Sequence, residues 1–177
     1  MRRTQRVALD LFEQRGFDNV TVADVAAVAD VAASTIYRHF STKESLVMWD
    51  EHDDETSDAL VRHLKAGKRP IEAMQSAFVD ALAARYDESA FQLRRVRYIY
   101  ATEQVHRAAV EADFADRDEL AAGLEHLLPR AERPAARVIA GATLAALDVA
   151  MDNWQQANGK RTLAACIEET FGYLADL

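Results

Sequence analysis

Apolar residues recur at intervals of three and four along almost the whole chain, and helix-stopping residues interrupt them only at widely separated points. That spacing lines up the apolar side chains of each segment along one side of a 3.6-residue helix. The interruptions fall at Gly16, at Gly67 to Pro70, at Asp87 to Ser89, at Pro129 to Pro134 and at Asn158 to Lys160. Three Pro and six Gly in 177 residues predict long uninterrupted helices rather than a turn-rich β protein. Alanine pairs such as Ala26-Ala27, Ala83-Ala84, Ala121-Ala122 and Ala145-Ala146 add helix propensity. The expected fold is therefore all-α, with about nine helices. Hydrophobic residues make up 50% of the chain, which supplies a sizeable core and excludes a disordered tract.

In the first segment Val7, Ala8, Leu11 and Phe12 share a helical face that ends at Gly16. After Phe17-Asp18-Asn19-Val20, Thr21 and Asp24 read as a shortened capping box that opens a second helix to about Ala29. Asp30-Val31-Ala32 predicts a tight turn, and a third short helix follows from Ala33 to Phe40. Ser41, with Glu44 returning the bond, predicts the start of a long fourth helix reaching about Ala66. Pro70 suits the first position of the next helix. Further helices are expected at 70–87, 89–102, 104–128, 134–157 and 162–175.

Two short helices joined by about three residues make a helix-turn-helix, whose second helix enters the major groove of DNA. Val22, Val25, Ala26, Val31, Ile36 and Phe40 can close its small core. The outer side of the third helix then carries Ala33, Ser34, Thr35, Tyr37, Arg38 and His39. Small residues let the backbone approach a groove, Arg38 is long enough for a guanine edge, and Tyr37, His39 and Lys43 can donate to phosphate. The alternative is an ordinary helical hairpin with Tyr37 and Arg38 as surface groups.

Over residues 5–47 the chain resembles the TetR family of regulators. The match runs through Leu11-Phe12, Gly16-Phe17, Thr21-Val22, Val25-Ala26, Ala29, Val31, then Thr35 to Phe40 and Lys43 to Leu46. The resemblance implies a DNA-binding domain over 1–47 and a helical ligand-binding and dimerisation domain over 48–177. It implies DNA contacts by Thr21, Thr35, Tyr37, His39 and Lys43, and sequence reading by Ala33, Ser34 and Arg38. Asp30 stands where the family's turn carries Gly, Ala32 where a Ser caps the third helix, and Ser34 where Gly is common. Losing the Ser cap costs roughly 1 kcal/mol.

The net charge of −8 first argues against nucleic acid. Residues 1–49 balance six basic against six acidic groups, so the whole deficit lies beyond them. The N-terminal part can meet phosphate if its cations share a face, while the rest would be repelled.

In the helix at 134–157, Arg137, Gly141, Asp148, Asp152 and Gln155 form a narrow stripe and most other positions are apolar, so it must be covered on two sides. With Leu163, Ile167, Phe171 and Leu174 of the last helix it predicts half of a four-helix homodimer interface, the alternative being a monomer core. Palindromic DNA reading needs two copies. Near Arg94-Arg95-Val-Arg97, a face of Phe91, Arg95, Tyr98 and Thr102 suits an anionic head beside an apolar tail. Trp49, Phe78 and Trp154 could add walls. The Arg-rich sixth helix resembles TetR regulators that take acyl-CoA-like ligands; alternatively these are core aromatics and paired arginines.

Asp50 to Glu55 is the densest acidic run, but on a helix its carboxylates fan around the axis, so neither a metal nor a cofactor is expected. There is no phosphate loop, nucleophile elbow or paired-carboxylate signature, so no catalytic residue is expected. One cysteine, Cys166, fits a reducing cytoplasm. Charged or polar residues are expected to break every apolar run short of a bilayer span. The expected function is a DNA-binding transcriptional repressor released from a palindromic operator by a small molecule. A scaffold that no longer reads DNA, or an activator, would carry the same features.

Overall fold

Caps and stops set where the helices of this chain begin and end. The structure, a computed structural model, describes residues 1–49 and 53–175. It is all-helical, with no strand among the described residues. Packing divides the chain into two units: Met1–Glu51 with Arg94–Ala109, and His52–Leu93 with Val110–Leu177. The first unit thus takes in a stretch that lies in the expected C-terminal domain.

In the first unit, α1 (Arg2–Arg15) ends at Gly16, whose φ of 83° a side chain would strain. A 3-10 turn at Phe17–Asn19 leads to α2 (Val22–Ala29) and α3 (Ala33–His39). Ala8, Leu9, Leu11 and Phe12 of α1, Val22, Val25 and Ala26 of α2, and Ile36 and Phe40 form one buried cluster. α4 (Ser45–Met48) is a single turn. Its start corrects the expected cap by one residue. Thr42 Oγ1 accepts from Ser45 N–H and Ser45 Oγ from Thr42 N–H, both at 3.1 Å. The hydroxyl pair takes the place of Ser41 and Glu44.

The expected long fourth helix is broken as well. Trp49, with ψ of 128°, leaves the helix, and α5 (Asp53–Lys65) follows in the second unit. Asp50, Glu51 and His52 of the acidic run lie outside the described residues, and Glu55 accepts from Arg85.

α6 (Pro70–Phe78) starts with Pro at its first turn and Glu72 accepting from the Arg69 amide at 3.3 Å. It loosens into a π-helical turn at Val79–Ala83 before α7 (Ala84–Asp87). α8 (Ala90–Ala101) and α9 (Glu103–Leu127) follow. α10 (Ala136–Ala157) ends at Asn158, in the left-handed region with φ of 53°, and α11 (Leu163–Ala175) packs along it. The two splits, after Met48 and at Val79, give eleven α-helical segments among the described residues where the sequence predicts about nine.

The core of the second unit joins Met74, Phe78, Trp154, Leu163, Ile167 and Phe171. Cys166 is fully buried there, and burial pushes its thiol up, which disfavours the thiolate. Contrary to the expectation of interrupted apolar runs, Arg133–Ala157 is long and apolar enough to cross a bilayer by length and composition alone. Asp148 and Asp152 lie on it.

Candidate nucleic-acid interface

The turn between α2 and α3 is built by two side chains and one unusual backbone. Thr21 Oγ1 accepts from the Asp24 amide at 3.1 Å, and Asp24 accepts from the Thr21 amide at 2.8 Å and from its hydroxyl at 2.6 Å. The Thr21 hydroxyl, then its amide, holds the Asp24 carboxyl below its usual value. The box is therefore complete at neutral pH and is lost only as pH falls through that lowered value. At the other end Asp30 adopts φ 57°, ψ 50°, and the Val31 amide wraps back to Ala26 O at 3.1 Å. Asp supplies the left-handed residue that Gly usually gives. Ala32 places no side-chain oxygen at the start of α3.

That turn fixes which side of α3 faces solvent. Ile36 and Phe40 are buried, while Ser34, Tyr37, Arg38 and His39 are exposed, Tyr37 by 61%. Ala33 and Thr35 are half-buried at its edge. The outer face is thus a short row of small, hydroxyl, aromatic and cationic groups, shaped to enter a groove and donate to it.

Lys43 is placed differently from its neighbours. Its Nζ donates to Phe17 O at 2.8 Å and Val20 O at 3.3 Å, and lies 4.0 Å from the centre of the Phe17 ring. The ammonium ties down the turn between α1 and α2. Lys43→Ala is expected to lower the unfolding free energy by about 1–2 kcal/mol, from the charged hydrogen bonds and the cation–π contact. Urea unfolding without DNA measures it; a purely solvent-facing phosphate ligand would show no loss.

The six residues expected to face a ligand are divided between the units. In the first, Arg95 is 3% exposed and its Nη1 lies 2.9 Å from Met48 O and 3.0 Å from Trp49 O. Trp49 meets Phe40 edge-on at 5.8 Å, and Tyr98 stacks on Phe12 at 6.2 Å. In the second, Phe78 packs edge-on against Phe171 at 6.0 Å and Phe91 is half-buried. Trp154 packs on Tyr86 at 5.7 Å and donates its indole N–H to Asp87 at 3.0 Å. A cleft of about 270 Å³ in this unit is lined instead by His63, Lys68, Ser76, Asp80 and Glu168, among others. Among the described residues no three His, Cys, Asp or Glu gather to hold a metal.

Sequence reasoning missed Gln5 and Asp87. Gln5 is 5% exposed, and its Nε2 donates to Trp49 O at 2.7 Å. Its signal was a polar residue on the face of Ala8, Leu9 and Phe12. Asp87 Oδ1 accepts from Trp154 and from the Leu163 amide at 2.6 Å, joining three helix ends, whereas the sequence marks it only as the start of a break.

Residues 6–48 match the family described as bacterial regulatory proteins, tetR family, and residues 68–177 match the MftR C-terminal domain. The chain is 35% identical over 83 residues to the HTH-type transcriptional regulator TcmR of Streptomyces glaucescens, covering 44% of this chain and 37% of that protein. It is 27% identical over 111 residues to the HTH-type transcriptional repressor KstR2 of Rhodococcus jostii strain RHA1, covering 58% and 54%. These matches thus span about half, or less, of the relatives' lengths. Among solved structures it has the fold of Thermus thermophilus FadR, a TetR family transcriptional repressor crystallised with lauroyl-CoA. That likeness has a TM-score of 0.55 and 21% identity over 98% of this chain and 92% of that one.

Proposed function

The chain belongs to the TetR family of bacterial regulatory proteins, and from that premise we propose that it is a homodimeric repressor released from a palindromic operator by a small molecule. The observation that carries the reading is the outward row of Tyr37, Arg38 and His39 on α3, held by a buried Ile36 and Phe40. Two such helices, one turn of DNA apart, read two half-sites. Arg38 reads a base edge; Thr21, Thr35, Tyr37 and His39 fix the backbone, with Ala33 and Ser34 against the groove. Lys43 adds charge near phosphate while its ammonium holds the preceding turn.

Dimerisation runs through α10 and α11. On α10, Val138 is 72% and Val149 50% exposed, and only 22% of its most apolar stretch is buried within the chain. Tyr173 of α11 is 66% exposed. An apolar helix left this open in one chain supports a second chain as its cover. Lauroyl-CoA, which the Thermus protein of the same fold holds, is the first effector to try. Release needs a ligand that prefers the state with the two α3 helices wrongly spaced.

The test is a binding-site selection from random duplexes, followed by release with acyl thioesters. A palindromic consensus is expected. Arg38→Ala should cost about 1–3 kcal/mol on the selected duplex and far less on random DNA. Equal losses on both would remove Arg38 from the reading role, and an enriched pool without symmetry would remove the dimeric operator.

A further inference from the structure

α4 ends in a cup of donors supplied by two other helices. Arg95 Nη1 lies within 3.4 Å of Val47 O, Met48 O and Trp49 O. Gln5 Nε2 reaches Val47 O at 3.3 Å and Trp49 O at 2.7 Å. The last carbonyls of a helix lack partners within it and carry partial negative charge, so a buried guanidinium there both bonds and neutralises them. A helix of one turn cannot hold its own end in place. Arg95 and Gln5 set that end.

The course of the chain gives Arg95 its leverage. The chain leaves the first unit after Glu51 and re-enters it at Arg94. Arg95 therefore sits on the returning helix and grips the last residues before the exit. Beyond the grip, the Trp49 ring meets Phe40 edge-on at 5.8 Å, and Phe40 is the residue on which α3 ends. Guanidinium, Trp49 backbone, Trp49 ring and Phe40 thus form one packed series up to α3. Arg94 acts separately, pairing with Asp10 at 2.7 Å and with Glu13 on α1, so α8 stays moored to α1 whatever Arg95 does.

We propose that Arg95 is a positioning residue for DNA binding: by holding the end of α4 it sets, through Trp49 and Phe40, the attitude of α3 that a palindrome requires. This rests on the dimeric operator reading above. A misplaced α3 still engages one half-site but fails to engage two at fixed separation, so the defect should be selective for the palindrome.

The experiment compares full-length wild type, Arg95→Gln and Arg95→Lys on a selected palindromic duplex and on a single half-site in a duplex of equal length. Fluorescence anisotropy is read at a temperature where circular dichroism shows each protein folded. Arg95→Gln is expected to lose at least ten-fold more affinity for the palindrome than for the half-site, with Arg95→Lys restoring part of the difference. Should Arg95→Gln not fold, Trp49→Leu cuts the series downstream of the grip and is expected to give the same selective loss. A palindrome-to-half-site ratio equal to wild type in the folded variant overturns the proposal alone. A wild-type protein with no preference for the palindrome overturns the dimeric reading and this proposal with it.

Discussion

Placing aspartate at both Val138 and Val149 is expected to yield a folded monomer whose affinity for a palindromic duplex falls by at least about 100-fold. The two valines lie on one stripe of α10 with Ala142 and Ala145 between them, and both are half or more exposed within the chain. Carboxylates there meet water in the monomer and cost the fold little, but between two apolar helices they would be stripped of water with no partner. Losing the proposed dimer would separate the two α3 helices, and the gain from holding the second at high effective concentration would go with it. Sedimentation equilibrium gives the mass and anisotropy the affinity. A double variant that sediments as a dimer and binds normally would place the interface elsewhere. Val149→Asp alone should weaken dimerisation part of the way, which separates a specific effect from a general loss of structure.

Trp154→Ala is expected to cost about 3–5 kcal/mol of stability, a large share of the total for a unit of this size. The indole is 2% exposed, packs on Tyr86, and bonds Asp87, which also receives the first amide of α11. Asp87→Ala should cost about 1–3 kcal/mol, because it strands two donors at once. In a Trp154→Phe background, which already lacks the indole N–H, the same change should cost less, and the difference isolates the Trp154–Asp87 bond. Urea unfolding followed by circular dichroism supplies all four values. Strict additivity would show that the bond contributes nothing beyond packing.

The caps and stops of this fold were legible because each depends on one or two residues. Gly16, the Thr21–Asp24 box, Asp30 and the Asn158 break all stand where the sequence places them. The break at Trp49 was not legible. Tryptophan is no helix breaker, and the carbonyls released there are taken up by Gln5 and Arg95, which are remote in sequence. The π turn at Val79–Ala83 has the same character: no residue in it opposes an α-helix, and Asp80 within it is bonded by His63 at 2.9 Å. The cap at Thr42 rather than Ser41 was a choice between adjacent hydroxyls that local pattern does not make.

For the outward side chains of α3, periodicity was enough, because burial of Ile36 and Phe40 turns Tyr37, Arg38 and His39 to solvent. For Arg95 it was not. A cation beside aromatics reads alike whether its partner is a ligand or the chain's own carbonyls, and only tertiary packing tells them apart. Trp154 poses the same ambiguity; its indole N–H bonds Asp87.

The bare start of α3 bears on the proposed encounter with DNA. α2 carries a two-way side-chain cap, whereas α3 begins at Ala32 with none. Its first turn therefore unravels at a smaller free-energy cost than its neighbour's, and amide exchange should be fastest there. In the proposed role, ordering that turn would fall to the moment of contact, so association would carry an entropic penalty that grows with temperature. In return, the tip of the proposed probe would conform to grooves of slightly different width before it stiffens.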